Sequence, residues 1–153
     1  MRYLAIDLGD KRTGVALGDS QTRIVTPLDT VEVDIDIQGG NALLEALARI
    51  VDAQLGEMGR GPGELVIGLP LNMDGSESPR ARHLRAFAQR LARRTMRTVH
   101  FQDERLTTAA ADWALAGSGL TRRRKKELRD ALAAARILED FFAALPTEPR
   151  GIP

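Results

Sequence analysis

The sequence predicts an α/β fold, a mixed sheet with helices on its faces. Two observations carry that reading: three short β-branched and apolar segments separated by turn residues at the start, then alternating helical and extended patterns to the end. Residues 2–8, 13–17 and 24–33 read as strands. The turns Gly9-Asp10-Lys11-Arg12 and Gly18-Asp19-Ser20-Gln21 between them make an antiparallel start. Leu43, Leu44, Leu47, Ile50, Val51 and Leu55 then recur at helical spacing, and the loop Gly59-Arg60-Gly61-Pro62-Gly63 ends that helix. Residues 64–69 form a fourth strand, stopped by Pro70. The polar loop Asn72-Met73-Asp74-Gly75-Ser76 leads into a helix over 78–94 whose inner side carries Leu84, Phe87, Ala88 and Leu91. A short fifth strand, 97–101, ends at Gln102-Asp103-Glu104-Arg105. Thr107 or Thr108 caps a helix through residue 116, stopped by Gly117-Ser118-Gly119, and the last helix spans 123–145. The expectation is one domain over residues 1–145 and a Pro-rich tail over 146–153.

Composition narrows the chemistry. The 153 residues are 43% apolar, enough for one real core. No stretch of about 18 apolar residues is present for a membrane span. Met1-Arg2-Tyr3 runs straight into the first strand, so no signal peptide is expected. The expected setting is cytoplasmic, with no membrane contact. The absence of cysteine excludes disulfides, thiolate metal sites and cysteine nucleophiles, and two histidines leave little for a zinc site. Any metal would be held by oxygen. Charge is segregated: residues 1–79 carry 6 basic and 13 acidic groups, residues 80–130 carry 14 and 5. That asymmetry points to a polyanion partner for the basic segment, against the plainer reading of arginines on solvated helix faces.

Asp7 stands near the end of a run, Tyr3-Leu4-Ala5-Ile6-Asp7-Leu8, that otherwise reads as a buried strand. An ionised carboxylate taken from water costs several kcal/mol, roughly, unless paired, hydrogen-bonded or bound to a metal. Asp103 and Glu104 follow strand five. Asp130 lines up with Ala134, Ile137 and Phe141 on the apolar face of the last helix, and Ala131, Ala133, Ala134 and Ala135 are small enough to let that helix approach a sheet. Carboxylates brought together cannot all stay ionised without positive charge between them. A divalent ion meets the need, and hard oxygen ligands suit Mg2+ or Mn2+, used in pairs about 3.5–4 Å apart for phosphoryl transfer. Each acid also has a plainer role: Asp7 in the turn that follows, Asp103 at a strand end, Glu104 with Arg105, Asp130 with Arg123, Lys126 or Arg129.

These residues resemble the YqgF/RuvX family of pre-16S rRNA nucleases and Holliday junction resolvase-like proteins, in the RNase H-like superfamily. The resemblance rests on Ala5-Ile6-Asp7-Leu8-Gly9-Asp10-Lys11-Arg12-Thr13-Gly14-Val15-Ala16, Val66-Ile67-Gly68-Leu69-Pro70-Leu71-Asn72-Met73-Asp74-Gly75, Asp103-Glu104-Arg105-Leu106-Thr107-Thr108 and Asp130-Ala131-Leu132-Ala133-Ala134-Ala135. The first motif alone is weak; all four in this order are specific. The lysine spacing before Asp130 departs from the commoner pattern. The resemblance implies a five-stranded RNase H-like sheet and an acidic metal site of Asp7, one acid of Asp103 and Glu104, and Asp130, with Glu104 favoured. The expected catalytic set is Asp7, Glu104 and Asp130, with Asp103 as a further metal ligand.

Lys11 and Arg12, in the turn after Asp7, are placed to bind phosphate, as are Arg105 and the run Arg122-Arg123-Arg124-Lys125-Lys126. Asn72 is expected to hold nucleic acid from its loop. The expected activity is metal-dependent hydrolysis of structured nucleic acid, precursor rRNA in 16S maturation. The alternatives are resolution of branched DNA at Holliday junctions, or nucleic-acid binding without cutting as a ribosome or transcription factor. The expected assembly state is a monomer or weak homodimer.

Overall fold

Strand β1 (Arg2–Asp7) is the centre of the sheet. On one side it pairs antiparallel with β2 (Thr13–Asp19), which pairs antiparallel with β3 (Val25–Val31); on the other it pairs parallel with β4 (Glu64–Leu69), which pairs parallel with β5 (Val99–Asp103). The order β3-β2-β1-β4-β5 is the mixed five-stranded sheet expected, with three antiparallel N-terminal strands. The computed structural model describes residues 1–104, 119 and 121–146. The helix expected over 107–116 and most of the tail lie outside them.

Alternation along β1 sorts the two cores. Leu4, Ile6 and Leu8 join Val15, Leu65 and Ile67 beneath α1 (Asn41–Leu55) and α2 (Pro79–Thr95), against Leu43, Leu47, Val51, Leu84, Phe87 and Leu91. Tyr3 and Ala5 join Ala16 and Val66 on the other face, against Ala134, Ala135, Ile137, Leu138 and Phe142 of α3 (Arg122–Ala144). Asp7 follows Tyr3 and Ala5 in that alternation, so it belongs to the face that α3 covers.

Helix boundaries follow local chemistry. Ser78 caps α2 by accepting from the Ala81 N–H at 3.1 Å, and Pro79 opens it. Thr121 caps α3 by accepting from the Arg124 N–H at 3.2 Å. The fifth strand starts two residues later than its pattern suggests, because Arg97 turns inward. Its guanidinium donates to the carbonyls of Leu55, Gly56, Arg60, Gly61 and Gly63 at 2.7–3.1 Å, tying the end of α1 and the loop into β4 to the end of α2. Pairing with β4 then begins at the Thr98 carbonyl, so Asp103 is the last strand residue and Glu104 lies just beyond it.

Candidate active site

Asp7 ends β1 with a glycine on either side. Gly14 is its partner across the antiparallel pair, and Gly68 lies beside it on β4, one residue past the Ile6–Ile67 pair. A methyl group at Gly14 would overlap the backbone carbonyl of Asp130, and one at Gly68 would overlap the carboxyl of Glu104. Both glycines are therefore space through which the other acids approach. Over Gly14 the backbone of α3 drops onto the sheet at Asp130. Over Gly68 the side chain of Glu104 reaches back, its own N–H donating to the Leu69 carbonyl at 3.0 Å, and its carboxyl shares a hydrogen bond with Asp7.

The electrostatics follow from this crowding. Burial raises the pKa of both Asp7 and Glu104. Glu104 is pushed up to about 9, by burial first and then by the charge of Asp7 and the hydrogen bond to it. At neutral pH Glu104 is the protonated partner and donates to the Asp7 carboxylate. Asp130 adds repulsion at Asp7, Asp103 adds it at Glu104, and Arg80 relieves both. The Oδ2 atom of Asp130 is buried without a hydrogen-bond partner, 3.6 Å from Arg12 Nε.

The three acids fit a hard divalent cation by donor chemistry: all are oxygen, two share one proton where their charges meet, and the third has a buried oxygen with no donor. In the present arrangement, among the described residues, no three His, Asp or Glu side chains have the spacing of a formed ion site. The hydrogen bond between Asp7 and Glu104 and the guanidinium of Arg80 ease the repulsion among these acids.

The register separates the two adjacent acids. Gln102 pairs with Gly68 and Asp103 with Leu69, so Asp103 belongs to the α1 and α2 face, while Glu104 returns to Asp7. Lys11 is exposed in its turn and Arg12 is half-buried against Asp130. Asn72 turns inward on its own loop: its side-chain amide donates to Ser76 Oγ at 3.0 Å and its N–H to the Ser76 carbonyl at 2.9 Å. Arg123, Arg124 and Lys126 are exposed in the first two turns of α3 and Lys125 is half-buried; Arg105 lies outside the described residues.

Sequence reasoning missed three residues. Gly14 and Gly68 carried a readable signal, since glycine inside a strand marks a close approach. Arg80 did not stand out among the arginines of α2; it lies in the first turn, its Nη1 2.6 Å from Asp10 Oδ1, with its charge felt at both Asp7 and Glu104.

The sheet order, with helices on both faces, defines an RNase H-like fold. The fowlpox virus Holliday junction resolvase superposes with a TM-score of 0.60 at 12% identity, covering 95% of this chain and all of that one. A T. thermophilus RuvC solved with a Holliday junction substrate superposes with 0.54 at 16% identity, covering 94% of each. At these identities the likeness is one of fold. Residues 1–144 match the family described as "RuvX: Holliday junction resolvase", and the chain belongs to that family. A protein named "Putative pre-16S rRNA nuclease" from Anaeromyxobacter sp. (strain Fw109-5) is 43% identical over 142 residues, covering 93% of this chain and 96% of its own. One of the same name from Ruegeria pomeroyi is 42% identical over 134 residues, covering 88% and 80%.

Proposed function

We propose that this protein is a divalent-metal-dependent nuclease that hydrolyses phosphodiester bonds of structured nucleic acid in the maturation of 16S rRNA precursors. The observation that carries it is the convergence of Asp7, Glu104 and Asp130 through the gaps at Gly68 and Gly14. The relatives named as pre-16S rRNA nucleases support the substrate.

Asp7, Glu104 and Asp130 would hold Mg2+ or Mn2+, which supplies Lewis-acid activation of water and of the phosphodiester when bound. With the shared proton released to solvent, Glu104 would offer its carboxylate beside that of Asp7 to hold the ion. Asp103 remains on the far face, where its charge raises the basicity of Glu104. Arg80 stands over the same acids from α2 and offers a guanidinium to a phosphate at the mouth of the site. Lys11 and Arg12 flank it from the β1–β2 turn. Arg123, Arg124, Lys125 and Lys126 would contact the backbone further out along α3, and Arg105 remains a candidate phosphate contact by its sequence. Asn72, exposed in the loop after β4 and hydrogen-bonded to Ser76 Oγ, would meet the nucleic acid from there. A cytoplasmic setting belongs to the same reading; no helix among the described residues is long and apolar enough to cross a membrane.

The test is a panel of precursor rRNA, single-stranded RNA and four-way junction DNA with Mg2+, Mn2+ and chelator. Precursor rRNA is cut only with metal, and Asp7→Asn lowers the rate by at least ~10²-fold. Undiminished cutting by Asp7→Asn overturns the reading, and tight binding without turnover on every substrate replaces it with a non-catalytic binding factor. The family description favours junction DNA as the second reading. Resolution would need a two-fold dimer presenting two sites, so sedimentation of the protein with junction DNA separates it from a monomer acting on RNA.

A further inference from the structure

The loop between β4 and α2 holds an apolar side chain out into water beside the acids. Leu71 packs against the core, but Met73 is 79% exposed, the most exposed large apolar side chain among the described residues. Most of its competitors stand elsewhere: Met1, Ile24, Met58 and Met96 precede β1, β3, β4 and β5 at the end of the sheet opposite Asp7.

The loop is folded to keep Met73 there. It occupies the second position of a turn closed by the Gly75 N–H donating to the Asn72 carbonyl at 2.8 Å, with Gly75 at φ 86°. Asp74 Oδ1 accepts from Ser76 N–H at 2.9 Å and from Ser76 Oγ at 2.6 Å, and Asn72 closes the base of the loop onto Ser76. One carbonyl ties this loop to the site, since Leu69 accepts from both Leu71 N–H and Glu104 N–H at 3.0 Å. Four residues span at most ~14 Å, so Met73 is held within that reach of the carbonyl that positions Glu104.

A tip tied by its own hydrogen bonds and carrying an exposed thioether chain has the form of a wedge. Apolar side chains including methionine enter between base steps and unstack them, repaid by contacts that the opened strand makes elsewhere. We propose that Met73 inserts into a stacked base step of the bound nucleic acid and frees the strand that enters the site. This rests on the nuclease reading above. The ~14 Å reach and a rise of ~3.4 Å per nucleotide put the opened step within about four nucleotides of the cut.

The test scans 2-aminopurine along paired RNA and along four-way junction DNA, each bound to the Asp7→Asn variant so that it stays intact. One or two adjacent positions near the cut should brighten several-fold, on whichever nucleic acid the enzyme takes. Adding Met73→Ala abolishes the brightening, Met73→Leu keeps it, and Met58→Ala at the far end leaves it intact. With the acids unaltered, Met73→Ala lowers cutting of a perfectly paired substrate about tenfold more than cutting of the same sequence with a mismatch at that step. Equal brightening with and without Met73 on both nucleic acids, or an unchanged ratio of rates, overturns the wedge while cutting still supports the nuclease. Met73-dependent brightening without cutting by the parent retires the nuclease and keeps the wedge; failure to bind either nucleic acid retires both.

Discussion

The shared proton between Asp7 and Glu104 makes the metal-free protein sensitive to alkali. With its carboxyl pushed up to about 9, against 4.5 ordinarily, folded Glu104 keeps a proton that the unfolded chain has released across that range. Stability from this group is therefore fully present below pH 4.5 and lost as pH rises towards 9, and the raised pKa of Asp7 adds in the same direction. Glu104→Gln keeps a hydrogen-bond donor and cannot ionise. In chelator, its melting temperature should fall less between pH 6 and 9 than the parent's, and parallel curves from calorimetry would refute the shared proton. The two glycines differ in what they face. Gly68→Ala meets the end of a flexible side chain, so Glu104 is pushed from Asp7 and turnover drops by ~10²-fold while the fold holds. Gly14→Ala meets the backbone of α3, which has nowhere to go, and should destabilise by about 1–3 kcal/mol in a urea titration. Asp7 and Asp130 were legible because each puts a charge on an apolar face. Whether Asp103 or Glu104 faces them was open, because it depends on where a strand ends by a single residue.

That strand end is decided by an element-level contact. The pattern Arg-Thr-Val-His-Phe reads as continuous strand from residue 97, yet Arg97 is only 5% exposed, donates to five carbonyls and has no carboxylate partner among the described residues. It collects the carbonyls left over at the end of α1 and around the glycine loop, which a buried segment must satisfy somehow. A sequence shows the arginine but not the carbonyls, since they come from residues 55–63 and only folding assembles them. Arg97→Lys offers a compact ammonium with three donors in place of a planar fork. Hydrogen bonds to a charged group are worth about 1.5–3 kcal/mol each, so losing even one or two should cost ~2–4 kcal/mol in a denaturant titration. A change below ~0.5 kcal/mol would mean that water replaces the arginine at little cost. The other elements were legible to within a few residues because their signals are local: Ser78 and Pro79 at α2, Thr121 at α3, Pro70 after β4.

For the whole molecule, the uneven charge along the chain becomes uneven charge in space. The order of the strands was not legible in pattern alone, since β1 becomes central only when the parallel β4 crosses over to its open edge. Once it does, α3 lies across β1, β2 and β3 with its N-terminal turns bearing Arg122, Arg123, Arg124, Lys125 and Lys126. Positive charge at a helix N-terminus opposes the macrodipole and weakens the helix, so its concentration there runs against stability. With a rise of ~1.5 Å per residue, the run stands about 6–12 Å along the helix from Asp130, within two or three phosphates of the site. A polyanion bound there is attracted by the side chains and the helix end together. Replacing Arg123, Arg124 and Lys126 with glutamine should therefore lower the slope of log affinity against log salt by about 2–3, at ~0.9 per duplex phosphate or ~0.7 per single-stranded one. Turnover at saturating substrate should stay within a few-fold, because on the proposed reading these side chains would hold the backbone and not the reacting phosphate. Filter binding between 50 and 300 mM salt, roughly the range over which such slopes are resolved, gives the answer. An unchanged slope would make the run a solvated face and move the phosphate contacts to Lys11, Arg12 and Arg80 around the acids themselves.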